Sequence, residues 1–416
     1  MKDESLNKNP HLGFLNNIEW MNAQASEIFI SVNDRNHPEL PVLSASQEWG
    51  MIYRDEGGMN IFHDVANEIT YKRVRPGQFV IHLRSFQGGF AHSTVEGITS
   101  PAYTILDFKD KNKHNDLFWK YVLTSDEFIK RLELITYGIR DGRSINFSDF
   151  STLNFYFPSY EVQLKIGTFL SHVDSLIQAK TKKLESLKAV KKSLLQKCFP
   201  KAGEKVPEMR FESNKEWASI NFEDCFSFLS NNSFSRDELN YEKGYIKSLH
   251  YGDVLIKFGE ILNVSTASLP YITQINSPKQ YSKSILKNGD IVIADAAEDN
   301  TVGKCTEIQN CTELLAAGLH TIAVRPKIEF APTFLGFCIN SESFHNQLLP
   351  LIQGTKVSSI SKSAIVDTVI YYPISITEQQ KIGQFFSKYD SLISAQQKEI
   401  DKLKDIKKSL LQKMFV

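Results

Sequence analysis

Cysteine is scarce in this chain and badly placed for chemistry. The 416 residues hold five, Cys198, Cys225, Cys305, Cys311 and Cys338, and none forms a C-x-x-C pair. Only Cys305 and Cys311 are near each other, and no His stands at ligand spacing from them. Structural zinc has no support, and the thiols read as buried or idle. Long apolar runs are also missing: no stretch approaches the roughly 18 residues of a membrane span. The start, Met1-Lys-Asp-Glu-Ser-Leu-Asn-Lys-Asn, has no apolar leader core, which predicts a soluble, cytoplasmic chain with no membrane partner. Net charge is absent, with 48 Lys+Arg against 48 Asp+Glu, so any nucleic-acid contact must rest on local patches. Catalytic motifs are missing too. There is no G-x-x-x-x-G-K-[ST] phosphate loop, no G-x-G-x-x-G turn and no Asn-Pro-Pro-aromatic tetrapeptide of adenine methyltransferases. Asp107-Phe-Lys109 matches one element of a nuclease metal site, but such a tripeptide arises by chance when 23% of residues are charged. His82, His92 and His320 have no triad context and read as ordinary histidines. The expectation is no catalytic residue, no metal and no cofactor in this chain.

What is present is a long-range repeat. Gln163-Leu-Lys-Ile-Gly…Lys191-Lys-Ser-Leu-Leu-Gln-Lys recurs as Gln379-Gln-Lys-Ile-Gly…Lys407-Lys-Ser-Leu-Leu-Gln-Lys at a shift of 216, with 22 identities over the 37 gap-free positions of 163–199 against 379–415. That density marks a duplication, and the period is too long for a solenoid. Upstream, Phe14…Trp20…Glu27-Ile-Phe matches Phe211…Trp217…Asp224-Cys-Phe at a shift of 197. Gly77-Gln-Phe-Val-Ile matches Gly289-Asp-Ile-Val-Ile at 212, and Pro158 matches Pro373 at 215. The growing shift places extra residues in loops of the second copy. Each half reads as a globular domain followed by a long helix.

The helices show a 3–4 apolar alternation over about four heptads. In the first copy the stripe is Ile166, Leu170, Val173, Ile177, Leu184, Leu187 and Leu194. In the second it is Ile382, Phe386, Tyr389, Ile393, Ile400, Leu403 and Leu410. Lys180 and Lys191, with Gln396 and Lys407, fall on the same seams, where polar residues favour one register and partner. Pro158 and Pro373 precede the helices, and Pro200 with Gly203 and Pro207 stops the first. A helix over 161–197 would run ~55 Å at 1.5 Å per residue. Such a stripe must be covered, and the near-identical second copy is the economical partner. The pattern predicts an antiparallel pair and an internal two-fold pseudo-symmetry. A generic coiled-coil dimerisation arm is the other reading of the same stripe.

The globular halves mix short strand-like runs (Gln78–Leu83, Tyr103–Leu106, Asp290–Ala294, His320–Val324) with short helices at Leu117–Thr124 and Phe334–Ile339, an α+β pattern. By segment, 1–160 holds 16 cations against 20 anions and 217–372 holds 12 against 16, whereas 161–201 holds 9 against 3 and 373–416 holds 8 against 5. The globular parts are therefore acidic and the helices basic. Two loop regions suit a ligand. One follows the Gly-x-φ-Val-Ile strand (φ apolar), with Arg84, Ser85 and Gln87 in the first copy and Asn300, Thr301 and Lys304 in the second. These make base-edge or backbone contacts, or form a plain polar loop. The other precedes the long helix: Gly138-Ile-Arg-Asp-Gly-Arg-Ser-Ile, with Arg140 and Arg143, and Gly354-Thr-Lys-Val-Ser-Ser-Ile, with Thr355 and Lys356. Glycine lets backbone approach closely and a cation neutralises charge, so this element suits phosphate. Ordinary solvated cations are the alternative. Trp20 and Trp217 read as core anchors rather than stacking platforms.

Taken with Pro207-Glu-Met-Arg-Phe…Trp217, Pro41-Val-Leu-Ser and Ser100-Pro-Ala-Tyr, these motifs give a chain that resembles the specificity subunits of type I restriction-modification systems along essentially its whole length. The first copy departs slightly at its helix start, with Glu161-Val-Gln-Leu where the second has Thr377-Glu-Gln-Gln. The resemblance implies two globular target-recognition domains separated by a pair of long antiparallel coiled-coil helices. The expected bounds are 1–157 for recognition domain 1, 158–200 for its helix, 201–216 for a linker, 217–372 for recognition domain 2 and 373–416 for its helix. It further implies a non-catalytic chain that reads an asymmetric bipartite site on double-stranded DNA. Two methyltransferase subunits using S-adenosylmethionine would dock on it, joined by restriction/translocase subunits using ATP and Mg²⁺. The residues alone also admit a two-lobed protein-interaction scaffold, or a stand-alone nuclease with an unseen metal site.

Overall fold

A computed structural model describes residues 18–46, 49–54, 65–82, 89–135, 145–201, 203–212, 215–273, 284–354 and 356–414. It divides into two compact units: Met1–Thr181 with Lys398–Val416, and Lys182–Gln397. The boundary cuts both long helices, Tyr160–Cys198 and Ile376–Met414. Each unit therefore holds the start of one helix and the end of the other.

In unit 1 an antiparallel sheet runs in the order Phe29–Val32, Thr104–Phe108, Phe79–Ile81, Phe90–His92. A separate ribbon pairs Met21–Gln24 with Asn154–Phe157. The strands are short and rich in Phe and Ile, which suits burial on a pleated surface. Their rings interlock with Trp119 and Phe150 around Phe29 at centroid distances of 5.1–6.4 Å. Ile166 and Leu170 from the front of the first helix, and Met414 from the end of the second, join that core.

Unit 2 repeats the plan in register. Its ribbon pairs Ala218–Asn221 with Val369–Tyr372. Its sheet runs Phe226–Leu229, Thr321–Pro326, Ile291–Ala294, Cys305–Gln309, with Ile261–Asn263 added in parallel at the edge. Phe79 faces Leu106 in one sheet, and Ile291 faces Val324 in the other. Within these sheets the strands Phe79–Ile81 and Ile291–Ala294 are entered through Gly77 and Gly289, both at φ 85, a left-handed turn that favours glycine. The next residue closes each turn with a side-chain oxygen: Gln78 accepts from the Arg75 amide and Asp290 from the Lys287 amide. Cys198, Phe199 and Leu194, from the end of the first helix, pack with Ile382 and Phe386, from the front of the second, on the unit 2 core. Four cysteines are buried and all five are free. Burial pushes the Cys198 thiol up to about 11 and that of Cys225 to about 12, which keeps both as inert thiols.

The antiparallel sense is visible inside each unit. In unit 1 Asp174 pairs with Lys407 at 2.5 Å and Lys180 with Glu399 at 2.6 Å, so numbers rise along one helix as they fall along the other. All fourteen apolar seam positions are buried or half-buried, the face a coiled-coil partner covers. Trp217 is a core residue, and Trp20 is half-buried against the unit 1 core. Among the described residues no helix is long and apolar enough to cross a membrane.

Candidate nucleic-acid interface

The repeated Gln-x-x-Ile-Gly is a fastener between globular domain and helix. The Gln163 side chain is fully buried; its Oε1 accepts from the Asn115 amide at 2.9 Å, and its Nε2 donates to the Lys113 and Pro158 carbonyls. Gln379 does the same in unit 2, accepting from the Ala331 amide at 2.9 Å and donating to the Pro373 carbonyl at 2.8 Å. One turn on, Gly167 and Gly383 let a short helix start against the long one. A Cβ at Gly167 would stand 2.6 Å from the Phe118 nitrogen, and one at Gly383 would stand 2.3 Å from the Thr333 hydroxyl. The two short helices, Asp116–Val122 and Phe334–Ile339, are capped differently. Asn115 Oδ1 accepts from the Phe118 amide in the first. Ala331 stands at the equivalent place in the second, and Glu307 on a neighbouring strand substitutes, accepting from the Thr333 and Gly336 amides at 2.6 and 2.8 Å. Burial pushes the Glu307 carboxyl up, with those backbone donors opposing the shift.

The repeated Lys-Lys-Ser-Leu-Leu-Gln-Lys supplies the reciprocal fastening. Lys191 reaches Asp390 at 2.5 Å and Glu260 at 2.8 Å while lying 5.3 Å from the Phe337 ring centre. Its counterpart Lys407 reaches Asp174 at 2.5 Å and lies 5.5 Å from the Tyr121 ring. Asp174 also accepts from the Tyr121 hydroxyl at 2.7 Å. In the second-domain motif, Arg210 grips the buried Glu378 with two bonds of 2.7 and 2.8 Å and lies 5.9 Å from the Trp217 ring. These motifs are recognisable because they hold domains to helices.

In unit 2 the two candidate loop regions meet. Ala296–Ala297 pairs with Ser358–Ser359, and the Ile360 amide donates to the Asp295 carbonyl at 2.9 Å. In these two loops Asn300, Thr301 and Lys356 are exposed. Lys304 is turned inward, donating to the Leu255 carbonyl at 2.7 Å, and burial lowers its affinity for a proton. Beside them Asp295 faces His320, and Lys362 is exposed. Burial raises the Asp295 carboxyl, with His320 and Lys362 opposing. Arg84, Ser85, Gln87, Arg140, Arg143 and Thr355 lie outside the described residues.

Unit 1 holds a cleft of about 700 Å³ whose lining mixes Lys120, Lys130, Lys404, Lys407 and Lys408 with Asp126, Glu127 and Asp174. Among the described residues there is no cluster of His, Cys, Asp and Glu that could hold a metal ion. Asp107 serves the sheet instead, accepting from Gln78 Nε2 at 2.8 Å and pairing with Lys111.

A twice-built domain, fastened by buried glutamine, glycine and crossed Lys–Asp pairs to an antiparallel helix pair, defines a duplicated domain-and-helix protein. Residues 214–405 match the type I restriction modification DNA specificity domain family. The chain is 26% identical over 320 residues to the type I restriction enzyme MjaVIII specificity subunit of Methanocaldococcus jannaschii, covering 74% of this chain and 71% of that one. It is 25% identical over 154 residues to the putative MjaX specificity subunit of the same organism, covering 36% of each. In fold it is similar to the type I restriction-modification S subunit from M. genitalium, with a TM-score of 0.56 at 16% identity over 98% of this chain and 99% of that one. A chain from work on complex assembly and conformational transition of the type I restriction-modification system gives a TM-score of 0.55 at 14% identity, covering 95% and 97%. Over residues 214–405 the chain carries the sequence pattern of that DNA specificity domain, and as a whole it is similar to type I restriction-modification specificity subunits.

Proposed function

We propose that this chain is the DNA-reading subunit of its complex, each recognition domain taking one half of a bipartite target. The observation that carries the reading is the meeting of two loop regions, about 60 residues apart in sequence, on one polar face of unit 2. Exposed Asn300 and Thr301 in one loop and exposed Lys356 in the other offer donors, acceptors and a cation, the mixture that base-edge and phosphate contacts need. The two copies differ in nearly every loop residue, so their half-sites differ.

Methylation and cleavage belong to the partners in this reading. Two methyltransferase subunits carry S-adenosylmethionine, restriction/translocase subunits use ATP and Mg²⁺, and the assembly works in the cytoplasm. The repeat supports two docking places. Leu176 and Leu392, and likewise Val190 and Ile406, are equivalent apolar positions on the two long helices, each 44–48% exposed, which suits cover by a partner. With acidic globular domains, the partners also supply part of the phosphate neutralisation.

The test is an electrophoretic shift with random duplex, with and without co-expressed methyltransferase, in the presence of Mg²⁺. Sequence-selective shifts are expected. No shift in either condition favours a protein scaffold, and cutting by the single chain favours a nuclease.

A further inference from the structure

Three backbone ends line up at the face described above. The Asp295 amide donates to the His320 carbonyl at 3.1 Å, and the Ile360 amide donates to the Asp295 carbonyl at 2.9 Å. This places His320, Asp295 and the Ser358–Ser359 strand side by side. His320 is held at φ 54, a left-handed conformation uncommon for a residue with a side chain. Strain of that kind persists where the surroundings enforce it. Here the enforcement is local: the Thr321 hydroxyl binds the Gly318 carbonyl at 2.6 Å and the Gly318 amide binds the Leu249 carbonyl at 2.8 Å.

The side chain is half exposed, at 52%, and is braced on two sides. Its Nδ1 faces Asp295 Oδ1 at 3.4 Å. Its ring meets Tyr251 edge-on at 5.3 Å, and Tyr251 in turn leans on the His250 ring at 4.5 Å. His250 is itself fixed by the Gly252 amide, which donates to its Nδ1 at 3.2 Å. Among the described residues Nε2 of His320 has no partner. A carboxylate at Nδ1 selects the tautomer that carries its proton there, which leaves Nε2 as a hydrogen-bond acceptor.

Resting on the reading of unit 2 as a DNA-recognition domain, we propose that His320 reads one base of its half-site, with Asp295 as the positioning residue that fixes its tautomer. An acceptor at Nε2 selects a base that donates in the major groove, through the N6 amine of adenine or the N4 amine of cytosine. The neighbouring exposed Lys362 and hydroxyls of Ser359 and Ser361 then contact backbone and set the approach.

The experiment selects bound duplexes from a randomised pool with the full chain co-expressed with its methyltransferase subunits. Wild type, His320→Gly and Asp295→Asn are compared. Glycine adopts the left-handed backbone at 320 without strain, so folding is retained, and thermal melts check it. In the wild type one position of one half-site should be restricted to adenine or cytosine. Both variants should lose that restriction by roughly tenfold and leave every other position unchanged. His320→Gly selecting the same target with the same stringency overturns this proposal alone. A wild type that binds without any sequence preference overturns both it and the DNA-reading function. Uniform weakening at all positions assigns His320 to backbone contact and also overturns the proposal.

Discussion

Replacing Gln379 by Ala removes one side chain and strands two buried backbone groups. The Ala331 amide loses its acceptor and the Pro373 carbonyl its donor, at a residue only 1% exposed. A buried polar group left without a partner costs about 1–3 kcal/mol, so the pair gives a loss of roughly 2–6 kcal/mol. For a unit of this size each kcal/mol moves Tm by about 2–4 °C, which predicts a fall of roughly 4–24 °C. Gln163→Ala should do at least as much in unit 1, because three groups lose their partner there. Gln379→Glu separates the two bonds: an ionised carboxylate still accepts from Ala331 but has nothing to donate to Pro373. It should not restore wild-type stability at neutral pH. Calorimetry and circular dichroism melts on the full chain read the effect. Losses under about 2 °C for both alanine variants would refute the fastener role assigned to the repeated motif.

Three further outcomes follow from the same geometry. Lys191 is nearly buried between Glu260 and Asp390, so Lys191→Ala should cost about 3–5 kcal/mol, whereas Lys407→Ala, at a pair whose side chains are 27% exposed, should cost about 1 kcal/mol or less; denaturant midpoints with unchanged slopes give the comparison, and equal losses would contradict it. The His92 hydrogen bond, 2.8 Å from Asp116, holds that carboxyl below its ordinary 3.8 against the effect of burial. Its stabilisation is present above the unfolded value and is lost as pH falls below about 4 through the lower folded value, so acid unfolding of His92→Ala should show a shallower pH dependence in that window, and an unchanged profile counts against the pair. Lys356→Ala, and Arg140→Ala in the first copy, should weaken DNA binding without altering the preferred sequence and lower the slope of log affinity against log salt by roughly one; an unchanged slope in a folded variant rules out phosphate contact.

The duplication, the seams and the helix starts were legible because coiled-coil packing imposes a period that survives as spacing. Lys191 and Lys407 already stood out as polar residues on apolar seams, and the fold supplies their carboxylates. The roles of Gln163 and Gln379 were not legible, although both opened the best-matched motif. A glutamine in a helix does not announce which backbone groups it will meet, and the amides that donate to it lie 48 residues away in each copy. The capping exchange was equally hidden: Ala331 replaces Asn115, and the compensating Glu307 comes from another strand. His320 read as an ordinary histidine because Asp295, 25 residues before it, becomes its neighbour only through strand pairing. Lys304 was picked out by its loop, but its direction depends on the Leu255 carbonyl, which spacing does not reveal.

The central claim is that a duplicated unit reads two different half-sites, and a methylation profile of the assembled complex on genomic DNA tests it most directly. The account predicts one motif made of two unlike half-sites with a fixed unread gap between them, and loss of only the second half-site when the loops at 295–304 and 354–360 are replaced by those of another specificity subunit. A palindrome, a single contiguous motif, or loss of both half-sites together on that replacement would contradict it.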